Sequence, residues 1–170
     1  MPTAPRSRRC VACRAVRKAS AEELREGIQM HIEQTQVQIE RVEQAMEKLS
    51  VRPGRKVCEA MRGLVEEAQH EIEEQDEKGP ILDLVIVAGM QRIEHYEIAA
   101  YGTNVALAEA LDEKQVAKLL SETLEEEKQT DLKLTEVTQK AIMPEALAGE
   151  EEEGGDARGG GRSSKRRKAA

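Results

Sequence analysis

Apolar residues recur along this chain in steps of three and four, the spacing of one helix face. The first stripe is Leu24, Ile28, Ile32, Thr35, Ile39, Val42, Met46 and Leu49. Ser20, with Glu23 three positions on, reads as a capping box at its start, and Pro53-Gly54 stops it. A shorter stripe follows: Val57, Met61, Leu64, Val65, Ala68 and Ile72. It ends in the polar run 73–78, and Gly79-Pro80 closes one helix and opens the next. The third segment is the most apolar, with positions 84–90 apolar nearly all round, so it should be the most enclosed. Positions 81–87 alone would also suit a strand, but the unbroken pattern to residue 110 favours a helix. Asp112, with Gln115 behind it, reads as the cap of a fourth helix carrying Val116, Leu119, Leu120, Thr123, Leu124, Leu134 and Val137. The pattern predicts an all-α antiparallel helical bundle over residues 20–143. Residues 1–19 form a basic arm or helix remnant. Pro144 and Gly149 end the order, and 144–170 form a disordered low-complexity tail.

Composition supports that reading. The chain has 170 residues, no Phe or Trp, and only Tyr96 and Tyr101, so its core is aliphatic. The formal net charge of -7 is unevenly distributed. Residues 1–19 hold six bases and no acid, and 150–170 hold six bases and five acids. The middle keeps 14 bases and 28 acids, a net of -14, which argues against nucleic-acid binding through the body and suits a cation. The basic tail could touch nucleic acid weakly and nonspecifically, although a solubilising role fits it better. No apolar run reaches the length of a membrane span, and no secretory signal is visible. Three Cys suit a reducing compartment, hence the cytoplasm. The lone Cys10-x-x-Cys13 lacks the second pair of ligands a structural zinc needs, and reads as incidental.

The informative feature is polar groups interrupting the apolar stripes. Glu94 and Glu97 fall on the face of Met90, Ile93, Ile98 and Tyr101. Glu127 and Asp131, one turn apart, fall on the face of Leu120, Thr123, Leu124 and Leu134. His31 lies on the first stripe with Ile28, Thr35 and Gln38. Each lies near the middle of its helix, so neighbouring helices bring them to a common level. Unpaired buried carboxylates are costly, and a bound cation reconciles several of them with a histidine. The plainer alternatives are a solvated acidic face, which suits Glu125 and Glu126, and a hydrogen-bonded core histidine. His95 reads as a supporting or surface group and His70 as surface.

The strings "GMQRIEHYEIAAYGTNVALAEAL" and "VAKLLSETLEEEKQTDLKLTEV" resemble the YciE/YciF-like family of bacterial stress-associated proteins, in the ferritin-like superfamily. "ELREGIQMHIEQTQVQIERVEQAM" and "KVCEAMRGLVEEAQ" resemble it in the same order, so the resemblance spans about 15–142. It implies a ferritin-like bundle with a carboxylate site for iron or manganese, and redox activity towards oxygen or peroxide. Carried over, His31 matches the family's histidine on its second helix. Glu94 and Glu97 match the acids of its "EHYE" string, and Glu127 and Asp131 its final acidic pair. Tyr101, one turn from Glu97, is the better candidate of the two tyrosines for a supporting hydrogen bond. This chain departs from the ferritin-like pattern at Ile28, where a Glu would stand, and at Thr130, where a His would stand. The first bundle helix, with its Glu, is missing or reduced to the fragment 11–18. The rival expectation is a non-catalytic bundle acting as a homodimer. Its inward acids would be protonated or paired with Arg92, Lys128 or Gln38.

Overall fold

A computed structural model of the protein describes residues 11–148. All regular structure among them is helical. Helix α1 is Val11–Lys18, α2 Glu22–Lys48, α3 Glu59–Glu74, α4 Pro80–Ala110 and α5 Lys114–Val137. The four striped segments are α2 to α5. The 11–18 fragment is an ordered helix with Ala15 buried, and Ala19 behind it is buried too. The rest of the basic arm and residues 149–170 lie outside the described residues.

Cross-links fix the directions. Ser20 meets Asp83 and His31 meets Glu94, so α2 and α4 run parallel. Arg41 reaches Glu126 and Lys48 reaches Gln115, so α5 runs against α2. α3 lies against α4. A Cβ added at Gly89 would come within 2.9 Å of the Ala68 Cβ, so the absence of a side chain sets that spacing.

The helix ends differ from the sequence expectation. Ala21, not Ser20, is the N-cap of α2, and no side chain of its own segment caps it. The cap comes from Asp83 in the first turn of α4. This fully buried carboxylate accepts hydrogen bonds from Ser20 N (2.8 Å), Ser20 Oγ (2.5 Å) and Ala21 N (2.8 Å). A charged acceptor serves these donors better than a hydroxyl, so Ser20 becomes a donor itself. Asp112 does not cap α5. It takes φ 59° at the end of α4, where its N–H donates to Glu109 O and that of Glu113 to Ala108 O. Ser50, at φ 55°, ends α2 in the same way, three residues before Pro53. Both are Schellman closures, made here by short polar residues in place of glycine.

Pro144 does not end the helical region, which continues through residue 148. A π-helical turn, Thr138–Ile142, stands just ahead of it. Proline lacks a donor and crowds the carbonyl four residues back, and a widened turn relieves both problems. Ala146 is buried beyond the expected boundary at 143, and Ile142 just inside it.

The core is divided. One apolar cluster joins Leu24, Ile28, Ile86, Met90, Leu134 and Ile142, among others. A smaller one joins Ala45, Ala108, Val116 and Ala117 at the far end. Between them lies a belt of buried polar residues: Gln38, Glu94, Thr123 and Glu127.

Candidate metal centre

Three helices deliver the belt's chemistry. α2 supplies His31, α4 supplies Glu94, and α5 supplies Glu127. One ligand atom from each lies within 4.8 Å of the others. Glu94 is 1% exposed and Glu127 0%, while the His31 side chain is 12% exposed. His31 Nε2 lies 3.2 Å from Glu94 Oε1. Among the described residues, no donor bonds Glu94 Oε2 or either carboxylate oxygen of Glu127 in good geometry, although the two carboxyls are near enough to share a proton and Gln38 approaches Glu127. Three orphaned acceptors in one buried spot are unusual, because buried polar atoms are nearly always paired.

Electrostatics follows from that enclosure. Burial pushes Glu94 up to about 9, with the charges of Glu127, Glu97 and Asp131 adding to the effect. Burial also raises Glu127, against the opposing pull of hydrogen bonds with Glu94 and Gln38. Glu97 is pushed up to about 7 by burial and by the charge of Glu127. Burial lowers His31, favouring neutral imidazole, the form that binds metals. Thr130 helps to choose its tautomer. The Thr130 hydroxyl donates to Glu126 O at 3.1 Å, leaving its lone pairs towards His31 Nδ1 at 3.4 Å. With the proton on Nδ1, the Nε2 lone pair faces the two glutamates.

The five residues singled out in the sequence are not all brought together. Glu97 stands beside the cluster, near enough to feel Glu127. The Asp131 carboxylate is engaged elsewhere: Gln91 Nε2 donates to it at 2.9 Å, and His95 Nε2 lies at 3.2 Å. His95 is therefore an exposed partner of Asp131. Tyr101 is half-buried and pushed up to about 12 by burial, with Glu97 and Glu127 adding to it. The Tyr96 hydroxyl instead shares a 2.9 Å hydrogen bond with the exposed Cys58 thiol at the start of α3.

Two of the three partners expected to neutralise the inward acids go elsewhere. Arg92 pairs with Glu71 and Glu67 on α3. Lys128 is exposed. Gln38 donates to Glu126 at 3.2 Å and also supports the Glu127 carboxylate. Glu126, expected on a solvated face, is gripped by Arg41 through two bonds of 2.5 and 2.7 Å. That guanidinium holds its carboxyl below the ordinary range.

The chain matches the family described as Domain of unknown function (DUF892) over residues 11–147. The chain belongs to that family. Within DUF892 it is similar to Protein YciF of Escherichia coli K12, 48% identical over 122 residues, covering 71% of this chain and 73% of YciF. The crystal structure of that E. coli stress protein matches with a TM-score of 0.71 at 45% identity, covering 75% of this chain and 80% of that one. YcfI of Rhodopseudomonas palustris, described as a candidate structural protein, matches with a TM-score of 0.70 at 39% identity, covering 74% and 79%. The YciF-like helical bundle expected from the quoted strings is thereby shown. Among the described residues, no helix is long and apolar enough to cross a membrane.

Sequence reasoning missed Asp83, Gln91, and the Arg41 contact with Glu126. A signal for Asp83 did exist, since it is a lone charge in the most apolar run of the chain. Thr130 was legible as a member of the Glu127 face and as a departure from the ferritin-like pattern, but its contact with His31 was not.

Proposed function

We propose that this DUF892 protein is a YciF-like stress protein that binds one divalent transition-metal ion, iron or manganese, between α2, α4 and α5. His31, Glu94 and Glu127 would hold it. Glu97 is next in reach, and Asp131 would first have to leave Gln91 and His95. The observation that carries this reading is the set of orphaned oxygens on Glu94 and Glu127 facing a neutral histidine. A cation gives all of them a partner at once, and a mixed nitrogen and oxygen donor set suits iron or manganese.

When bound, such a metal supplies one-electron redox chemistry towards oxygen or peroxide. The chain's own part is to exclude bulk water through the apolar clusters on either side and to keep the His31 lone pair inward through Thr130. A groove between α2 and α5, lined by Glu23, Glu26, Glu126, Lys133 and Glu136 among others, leads to His31.

Elemental analysis of protein purified without chelator tests the reading. We expect iron or manganese near one per chain, lost in the Glu94→Ala/Glu127→Ala double variant. Absence of retained metal, with a melting temperature unmoved by added Mn(II) or Fe(II), would sink it. A second reading draws on the description of YcfI as a candidate structural protein. In it the acids stay protonated, and exposed apolar positions such as Val37 and Ile39 are covered in a homodimer. The same measurement separates the two.

A further inference from the structure

A half-enclosed cavity of about 270 Å³ opens beside the cluster, bounded by α1, α2, α3 and α4. Its wall is almost wholly apolar, with Ala12 and Ala15 from α1, Met61 and Val65 from α3, and Met90 and Ile93 from α4. Its polar lining is confined to His31 and Thr35 from α2 and Glu94 and Glu97 from α4. Glu94 is nine-tenths buried and more, and among the described residues its Oε2 has no donor in good geometry. The cavity thus joins a greasy wall to a small polar set, the arrangement that fixes a ligand's orientation in small-molecule sites.

Size and charge restrict the occupant. A cavity of about 270 Å³ lies near the lower bound, roughly 300 Å³, of small-molecule sites. A short unbranched chain fits, and a long acyl chain does not. Among the described lining residues there is no Lys or Arg, whereas two are glutamates. In the metal-free protein an anionic head would be buried with no cation to meet it, which is strongly unfavourable. A hydroxyl can both donate to a carboxylate oxygen and accept in return.

We infer that this cavity binds a short, neutral aliphatic molecule ending in one hydroxyl-type oxygen head, its tail along the α1 and α3 walls and its head at Glu94 and Glu97. The binding needs no metal, so it stands or falls separately from the metal reading.

The chain supplies its own reporters. Met61 and Met90 line the cavity, while Met30 and Met143 are exposed elsewhere. Protein labelled at the methionine methyls is titrated with 1-hexanol, and separately with hexanoate, at pH 7 in excess chelator. We expect saturable shifts at Met61 and Met90, none at Met30 or Met143, and an affinity for the alcohol at least about tenfold above that for the carboxylate. Filling the space with Val65→Trp, or with Ala12→Leu, should abolish the shifts while far-UV circular dichroism stays unchanged. Equal or tighter binding of hexanoate overturns the inference, as do shifts spread over all four methyls or binding that survives both fillings. Should a filling variant fail to fold, the location of the wild-type shifts and the alcohol preference decide alone. Because chelator is present throughout, a negative result here leaves the metal reading intact, and an empty metal analysis leaves this inference intact.

Discussion

Thr130 shows how a single side chain can act on the centre without joining it. Its hydroxyl lies 3.1 Å from the Glu126 carbonyl and 3.4 Å from His31 Nδ1, so while it donates to the carbonyl it accepts from Nδ1. That arrangement favours the tautomer whose Nε2 is free for a cation. Thr130→Val keeps the shape and removes the acceptor. The ring can then rotate or change tautomer, and outer contacts of this kind are typically worth about 10–100-fold in metal affinity. A competitive chelator titration should therefore show the valine variant weakened by that order, with Thr130→Ser near wild type. Equal affinities in all three proteins would mean that the 3.4 Å contact does not orient the ring.

Among the elements, the junction of α2 and α4 matters most for the site, because these parallel helices set the level at which His31 meets Glu94. Asp83 holds it, satisfying three donors where α1 turns into α2. Asp83→Ala would leave two backbone N–H groups without their acceptor, at a cost of about 2–3 kcal/mol for bonds to a charged group. Urea denaturation of metal-free protein should register that loss, and Asp83→Asn should recover part of it. A loss below about 0.5 kcal/mol, within the usual range of surface substitutions, would show that water replaces the carboxylate. The four long helices were legible in the sequence because each carries an apolar stripe along most of its length. This clasp was not, because its partners lie 62 and 63 positions apart and only the tertiary fold joins them. The same limit applies at the centre. His31, Glu94 and Glu127 could be found because each breaks an apolar stripe. Asp131 breaks one too, and periodicity could not show that Gln91 and His95 would reach its carboxylate first. Nor could it foresee the widened turn that carries the helix past Pro144.

At the scale of the whole molecule, the buried acids link stability to pH. An unfolded carboxylate titrates near 4.5, whereas Glu97 is pushed up to about 7 and Glu94 to about 9. Between the unfolded and folded values the native state holds the extra protons. The stability these groups contribute is therefore complete below about 4.5 and is lost as pH rises through 7 and then 9. Each retained proton costs about 1.4 kcal/mol per pH unit over its window. His31, lowered from 6.5, acts in the opposite sense, but only below that pH. The Arg41-bound Glu126 acts only below the ordinary carboxylate range, and Tyr101 only above 10. Cys58, whose thiol is lowered by its bond to Tyr96, overlaps the range above neutrality, so a Cys58→Ser background removes it. In that background, with chelator, the melting temperature should fall steadily from pH 7 to 8.5, and Glu94→Gln should flatten the fall. Saturating Mn(II), kept anaerobic, should cancel or reverse the slope, because a cation displaces the same protons and binds more tightly as they leave. A flat profile in chelator would show the carboxylates already ionised and solvated. A slope untouched by Mn(II) would mean that the acids are buried for a purpose other than holding a cation.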